Sequence, residues 1–320
     1  MDSYFFYLRY SFNVMYDIIG DVHGHAPLLK KLLLQLGYQK TEAGYKHPER
    51  KAIFVGDFIN RGPEIRKTVR IVRTMVENQN AMAILGNHEI NAIIYHLKFK
   101  KDDLLVKAPQ KFFMSLFKTI NEFSGHADEW ADHLKWFRTL PLYINLNVIR
   151  VVHACWSEPA ILILKTNLPE GKIKKSVFRE MYRNSKSELT QSIWTLTKGI
   201  DFKLPGDLKI INNKGVSPRS FRMRWWEQPK NKTFEEMSFE SKFVLPSYTI
   251  PEQIVPQDYP YPDNAPIVFF GHYCRFKGPH IIKPNICCVD SCVAGTNILT
   301  AYRWNGEKVL DERNLVQVGK

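Results

Sequence analysis

The sequence predicts an α/β fold built around a mostly parallel sheet, and three observations support this prediction. Short apolar runs alternate with amphipathic segments over the first part of the chain. Each of these runs ends in a glycine that polar residues follow at once. Prolines and glycines also fall where helices would begin and end. Such a strand–loop–helix alternation places helices on the faces of a parallel sheet.

The predicted elements follow one another in a regular order. We expect strands over residues 14–19, 52–55 and 81–85, because these stretches are apolar and β-prone. Helices are expected from Pro27 to a cap at Gly37, and over residues 65–76 and 90–97. Residues 98–141 have a largely helical pattern, and residues 143–152 are β-prone around a turn at 145–147. Further strands are predicted at 267–270, 286–289 and 298–304.

The chain changes character between about residues 155 and 262, where prolines and basic residues become frequent. We interpret about 156–264 as an insertion or cap that contains a helix near 177–186. Residues 15–320 would then form one domain around it. Residues 1–14 precede a second methionine, Met15, and are predicted to be an N-terminal extension or a misassigned start.

Composition and charge limit the possible partners. Hydrophobic residues make up 44% of the 320 and charged residues 24%, which is typical of a globular protein. The chain has no run of about 18 apolar residues that would indicate a membrane helix. The net charge of +13 favours anionic partners. Nucleic acid is possible but not favoured, since a solvated basic face is the commoner explanation.

The cysteines indicate a reduced, cytoplasmic setting. Their number, five, is odd, and we find no secretion signal. The cluster of Cys287, Cys288 and Cys292 contains no CxxC pair. We therefore expect small apolar residues on or beside a buried strand rather than a metal site.

Polar residues with the chemistry of metal ligands follow five predicted strands: Asp21, His23, Asp57, Asn87, His88, His153 and His272. Each short motif alone is commonly a turn or a structural histidine. Their conjunction at strand ends, with glycines beside most of them, predicts a metal site. Two divalent ions can activate water and neutralise a phosphoryl group, and they accept carboxylate, imidazole and amide oxygen ligands.

The motifs GDVHG, GDFINRG and GNHE, with His153 and Gly271–His272, resemble those of the calcineurin-like metallophosphoesterases. The chain is similar to their phosphoprotein phosphatase-like branch, which includes bacterial diadenosine tetraphosphatase-type enzymes. The resemblance implies a metallophosphoesterase-type β-sandwich flanked by helices, in α-β-β-α layers, with an inserted cap region. It also implies two divalent metal ions, of which Mn, Fe, Zn, Ni and Co are all compatible, and phosphate hydrolysis by attack of a dimetal-bridging hydroxide.

The resemblance implies a role for each motif residue. One metal would be held by Asp21 and His23, Asp57 would bridge, and the second metal would be held by Asn87, His153 and His272. His88 would be the general acid, and Arg61 would bind phosphate oxygens.

Two departures from the family pattern concern the site. Asn60 stands where the branch usually has Asp; it can orient His88 but cannot stabilise an imidazolium by charge. This favours substrates with activated leaving groups. His153-Ala154-Cys155 replaces the common His-Gly-Gly.

The inserted region contains Arg222 and Arg224, which alternate with Met223 and precede two tryptophans. Either the arginines line the site and contact an anionic substrate, or the aromatics pack on the sheet with the arginines in solvent. The overall prediction is a phosphoesterase acting on an anionic phosphorylated substrate, either a nucleotide (dinucleoside polyphosphate-like) or a phosphoprotein. The alternative is a catalytically weak basic module that binds RNA or another polyanion.

Overall fold

The computed structural model describes residues 15–97, 110–169, 171–204, 211–212, 220–239, 243–244, 260–274 and 280–319. The predicted extension, residues 1–14, and the first part of the 98–141 segment lie outside them. None of the described helices is long and apolar enough to cross a membrane.

The first part of the chain folds as the sequence predicts. Its strands are β1 (Met15–Ile19), β2 (Gln39–Thr41), β3 (Gly44–Lys46), β4 (Arg50–Phe54) and β5 (Ala81–Ala83). Its helices are α1 (Ala26–Gln35), α2 (Ile65–Glu77) and α3 (Asn87–Tyr95). Gly37 ends α1 with a φ of 85°, and the amides of Gly37 and Tyr38 donate to Leu34 and Leu33. This pair of hydrogen bonds is the Schellman motif that favours glycine.

The remaining elements complete the core and the inserted region. Helices α4 (Gln110–Glu122) and α5 (Ala127–Phe137) precede the hairpin β6 (Tyr143–Asn145) and β7 (Ile149–Val152). The inserted region holds α6 (Glu158–Asn167), α7 (Lys175–Arg183), α8 (Glu188–Lys198), β8 (Asp201–Lys203), β9 (Ile211–Asn212), β10 (Ser220–Arg222), α9 (Phe234–Met237) and β11 (Phe243–Val244). The chain then returns through β12 (Ile267–Phe270), β13 (Ile281–Lys283), β14 (Ile286–Cys288), α10 (Val293–Thr296), β15 (Leu299–Trp304) and β16 (Leu315–Val318).

Two five-stranded sheets form the centre of the molecule. Their strand orders are β16-β15-β1-β4-β5 and β13-β14-β12-β7-β6. In the first sheet β1, β4 and β5 are parallel, and the antiparallel pairings of β15 with β1 and of β16 with β15 lie on one side of them. In the second sheet β7, β12 and β14 are parallel, with the antiparallel strands β6 and β13 at the two edges. The β-sandwich that the family resemblance implied is therefore confirmed.

The burial of the central strands explains why their positions could be predicted from apolar runs in the sequence. Ile18, Ile53, Val151 and Phe269 belong to one apolar cluster that joins the two sheets. Alternate residues of the same strands, such as Phe54, pack into a second cluster with the helices. Since both faces of the central strands are covered, the strands read as continuous apolar runs.

The inserted region packs onto the sandwich rather than standing apart. Apolar residues of α6, α7 and α8 belong to the same core cluster as those of α1 to α3. Trp225 and Trp226 are buried, with ring centroids 5.1 and 5.5 Å from that of Phe270 in β12. Of the two interpretations of this stretch, aromatic packing on the sheet is thus correct for the tryptophans. The boundary at 156–264 stays a prediction.

Candidate dimetal site

Polar side chains that follow the central strands of both sheets meet in one place. Asp21 and His23 follow β1, Asp57 follows β4, Asn87 and His88 begin α3 after β5, His153 follows β7 and His272 follows β12. Two sets, His23–Asp57–His88 and Asp57–His153–His272, each have ligand atoms within 4.8 Å of one another. The fold brings the predicted residues together, and their individual roles stay predictions.

Asp57 lies between two groups of imidazoles. Its Oδ2 is 3.6 Å from Nε2 of His23 and 3.8 Å from Nε2 of His88. Its Oδ1 is 3.5 Å from Nε2 of His153 and accepts a 3.0 Å hydrogen bond from the His88 amide in the first turn of α3. One carboxylate thus directs an oxygen toward each group, which is the placement that a bridge between two ions needs.

Backbone carbonyls orient two of the histidine rings. Nδ1 of His23 lies 3.0 Å from the Ile59 carbonyl, and Nδ1 of His153 lies 2.6 Å from the Val55 carbonyl. A ring that donates Nδ1–H to a carbonyl directs Nε2 at the site, as is usual for metal-binding histidines. Nε2 of His153 is also 3.2 Å from Oδ1 of Asn87.

Two buried polar atoms at the site have no hydrogen-bond partner among the described residues: Oδ1 of Asp21 and Nε2 of His272. These residues are nevertheless held together, since Oδ2 of Asp21 accepts a 3.0 Å bond from the His272 amide. Buried polar atoms are rarely left unsatisfied. Orphaned carboxylate and imidazole atoms, beside an amide oxygen, form a donor set that fits divalent metal ions.

The buried carboxylates of the site favour nearby positive charge. Burial, with repulsion from Asp290 and Asp57, raises the pKa of Asp21 well above its usual value. Burial acts in the same direction on Asp57, but the facing His153 and His88 outweigh it and hold the pKa of Asp57 well below its usual value. Burial opposes the charging of His153, yet Asp57 raises the pKa of that imidazole to about 10. A positive charge beside these carboxylates, on an imidazole or on a metal ion, is therefore stabilised.

The backbone at the site is unusual. Five candidate residues have positive φ angles between 41° and 69°: His23, Asp57, Asn60, Arg61 and His272. Such conformations are uncommon for residues other than glycine and cluster at functional sites. Neighbouring glycines allow close approach: a Cβ on Gly86 would lie 2.1 Å from Oδ1 of Asp57, and one on Gly271 would lie 2.0 Å from Oδ1 of Asp21.

Glu89 is a site residue that the sequence reasoning missed. Its Oε2 accepts from the amides of Asp57 (2.9 Å) and Gly86 (3.1 Å), and its Oε1 accepts from those of Phe58 (2.9 Å) and Ile59 (3.3 Å). The buried carboxylate thus holds the loop that carries Asp57 against the start of α3. Glu89 is the last residue of the GNHE motif, which the sequence prediction used only for its Asn and His. Its carboxylate binds backbone amides and is not among the proposed metal ligands.

A short chain of hydrogen bonds orients His88. Nδ2 of Asn60 is 2.5 Å from Nδ1 of His88. Oδ1 of Asn60 accepts a 2.5 Å bond from the Thr119 hydroxyl, which also accepts from the Asn60 amide. The hydroxyl turns the amide group so that its NH₂ faces the imidazole, which directs the proton of a neutral His88 to Nε2. That Nε2 is 3.3 Å from Nη2 of Arg61.

The two arginines of the inserted region differ in their surroundings. Nη1 of Arg222 is 3.4 Å from the His272 carbonyl, and its guanidinium lies 5.2 Å from the Tyr273 ring centroid. Arg222 also helps, after burial, to lower the pKa of His272. The Arg224 amide donates to Met237, beyond the end of β10. Arg222 therefore borders the site, and no described contact joins Arg224 to it.

The expectation that Cys292 is only a small apolar residue was wrong. Cys274 and Cys292 form a disulfide, with their Cα atoms 4.5 Å apart. The amides of both cysteines donate to the Asp290 carboxylate, at 2.7 and 2.8 Å. The pair is separated by 18 residues and meets because β12 and β14 are parallel neighbours, which spacing alone did not reveal. Cys287 and Cys288 are buried on β14, as expected, and Cys155 is buried as well.

Comparisons with known proteins identify the family of the chain. The profile of the calcineurin-like phosphoesterases matches residues 16–276. The symmetrical bis(5'-nucleosyl)-tetraphosphatase of Marinomonas sp. is 27% identical over 89% of this chain and 92% of its own length. The asymmetrical bis(5'-nucleosyl)-tetraphosphatase PrpE of Oceanobacillus iheyensis is 34% identical over 47% of this chain, and the matched segment covers 58% of the length of that relative.

Among solved structures, the cold-active protein-tyrosine phosphatase of a psychrophilic Shewanella species is 13% identical, with a TM-score of 0.44. The alignment covers 92% of this chain and 81% of that one. The match of the family profile extends over most of the chain and contains all seven residues of the candidate site. The chain belongs to the calcineurin-like phosphoesterase family.

Proposed function

We propose that the chain is a dimetal phosphoesterase that hydrolyses a phosphoanhydride bond of a nucleotide resembling a dinucleoside polyphosphate. The observation that carries this proposal is Asp57, whose two carboxylate oxygens face separate imidazole groups at 3.6 and 3.5 Å. A pure polyanion-binding surface has no need of such a buried arrangement.

The metal ligands are proposed as two sets that share Asp57. Asp21 and His23 would hold one ion, and Asn87, His153 and His272 the other. When bound, divalent ions supply a neutralising charge for the phosphoryl group and lower the pKa of water. The mixed ligands accept Mn, Fe, Zn, Ni or Co, and we propose manganese as the first ion to test.

His88 and Arg61 are proposed to act on the phosphate group directly. Arg61 is a donor only, so its Nη2, 3.3 Å from Nε2 of His88, cannot accept a proton from that ring. With its Nδ1 accepting from the Asn60 side-chain amide, His88 carries its proton on Nε2, which lies 3.8 Å from Oδ2 of Asp57. It can therefore donate a hydrogen bond to the leaving oxygen. Arg61 is exposed at the rim, and its planar fork suits phosphate oxygens. Arg222 is proposed as a further contact for the substrate, and Arg224 as a weaker candidate.

The polarity around His88 favours an anhydride over a phosphoprotein ester. An alkoxide leaving from phosphoserine needs a proton, and an imidazolium supplies it best when a carboxylate accepts from its other nitrogen. Asn60 places a neutral amide there instead. A nucleoside diphosphate leaves without protonation, so it depends less on a charged His88. The named tetraphosphatase relatives support the same choice.

The test compares diadenosine tetraphosphate with phosphoserine and phosphotyrosine peptides, in Mn²⁺ and then with a chelator. We expect metal-dependent hydrolysis with the dinucleotide as the best substrate, and nucleotide analysis will identify which anhydride bond breaks. Preference for a phosphopeptide would contradict the substrate proposal. Absence of metal-dependent turnover on any of them would favour the polyanion-binding alternative suggested by the +13 charge. A cytoplasmic location is likewise proposed, although the Cys274–Cys292 disulfide departs from the reduced setting expected there, and fractionation tests it.

A further inference from the structure

A cationic cleft lies between the core and the inserted region, at the end of α3 remote from His88. Its volume is about 440 Å³. The apolar floor includes Ile93 and Leu134, and the rim carries four cations from two helices: Lys135, Arg138, Lys175 and Arg179. A cleft of this size suits a small organic molecule. None of the described residues that line it is acidic.

Two of these cations face the cleft without an acidic partner among the described residues. The Arg138 guanidinium donates to the Leu134 carbonyl of its own helix, and burial lowers its pKa. Lys175 is the first residue of α7, whose first turn contains no acidic residue. Positive side chains near the positive end of a helix are unfavourable, and a bound anion would relieve that repulsion. Opposed cations on separate helices suit the several oxygens of a phosphate chain.

His96 adds an aromatic surface rather than a charge. Its Nε2 accepts a 3.1 Å bond from the Trp130 indole, and its Nδ1 lies 2.9 Å from the Ala92 carbonyl. Both nitrogens are thus used within the core, and burial lowers the pKa of the ring. The cleft is therefore lined by an aromatic ring, aliphatic side chains and four cations.

We propose that this cleft is a second binding site, distinct from the dimetal site, for a nucleoside phosphate. The apolar floor and the His96 ring would contact the base, and Arg138 and Lys175 would bind the phosphates from opposite helices. Ile93 and His96 line the cleft six and nine positions after Asn87, which corresponds to about 9 to 14 Å along the helix axis. A ligand there bridges α5 of the core and α7 of the inserted region.

The test is calorimetric titration of the full-length, Mn²⁺-loaded protein with ADP. We expect a site whose affinity falls by about tenfold or more in the double variant Arg138→Ala/Lys175→Ala. The variant Ala131→Trp, at an exposed lining position, should weaken the same site by filling the cleft while keeping every cation. Inorganic phosphate should compete poorly, because it cannot use the apolar floor.

A charge-matched control is Lys40→Ala/Lys46→Ala, on the exposed β2–β3 hairpin, which should bind ADP as the wild type does. Equal ADP binding by the wild type, the Arg138/Lys175 variant and the Ala131 variant would overturn the proposal. So would equal loss in the control, which would show a general charge effect. Diadenosine tetraphosphate hydrolysis is measured separately, so failure here leaves the proposed activity untouched.

Discussion

Replacing Asn60 by Asp tests how the site protonates a leaving group. The new carboxylate would stand 2.5 Å from Nδ1 of His88 and would keep the Thr119 hydroxyl as a donor. A hydrogen bond to a charged group is worth about 1.3 kcal/mol more than a neutral one. That energy corresponds to about one pKa unit of the imidazole, or about tenfold in rate where proton donation limits the reaction.

The assay is hydrolysis of aryl phosphates of graded leaving-group pKa, beside diadenosine tetraphosphate. We expect Asn60→Asp to accelerate the poorest leaving groups about tenfold and to flatten the dependence on leaving-group pKa. The dinucleotide rate should change little. Asn121→Asp adds the same charge at an exposed position of α4 and should alter neither. If Asn60→Asp changed neither rate nor leaving-group dependence, the account of Asn60 and His88 would fail.

Three further predictions address the supports of the site. In Glu89→Gln one of the two carboxylate oxygens becomes an NH₂ group, which cannot accept from the two backbone amides that face it. We therefore expect a loss of about 2 kcal/mol in unfolding free energy and at least about tenfold weaker Mn²⁺ binding. Arg222→Ala should raise KM for diadenosine tetraphosphate about tenfold with little change in kcat, since it removes the proposed phosphate contact. Non-reducing peptide mapping should recover Cys274 linked to Cys292, and reduction should lower stability by about 3 kcal/mol.

Matched controls separate these effects from general damage. Glu42→Gln, at an exposed position, should leave stability and Mn²⁺ affinity unchanged. Lys203→Ala removes an exposed charge from β8, opposite Ser220 at the start of β10, and should leave KM unchanged. The first prediction is contradicted if Glu89→Gln is as stable as the wild type, and the second if Arg222→Ala leaves KM unchanged. The third is contradicted if peptide mapping recovers Cys274 and Cys292 as unlinked thiols.

The sequence was most informative where burial is uniform. The run at 267–270 gave the bounds of β12 correctly, because all four residues are buried. Periodicity alone indicated a single, mostly parallel sheet. The second sheet and the antiparallel flanks arise from distant pairings such as Ile19 with Ala301, which local patterns cannot reveal. The family motifs, rather than the periodicity, predicted the sandwich.

The candidate site shows the same division. The predicted ligands stand directly after strands whose ends converge, so their proximity followed from topology. Glu89, Thr119 and Asp290 were missed because they bind backbone amides or another side chain and have no distinctive chemistry in the sequence. The Cys274–Cys292 pair was missed because it depends on which strands are neighbours. The position of Arg222 beside His272 depends on where β10 packs, which composition does not specify.

Metal stoichiometry tests the central claim most directly. The metal-free protein is titrated with Mn²⁺ by calorimetry, beside the Asp57→Asn variant, and bound metal is counted after desalting. We expect two ions per wild-type chain and at most one, bound at least about tenfold more weakly, in the variant, since Asp57 faces both imidazole groups. One ion or none in the wild type, or two ions held equally well by Asp57→Asn, would contradict the dimetal site.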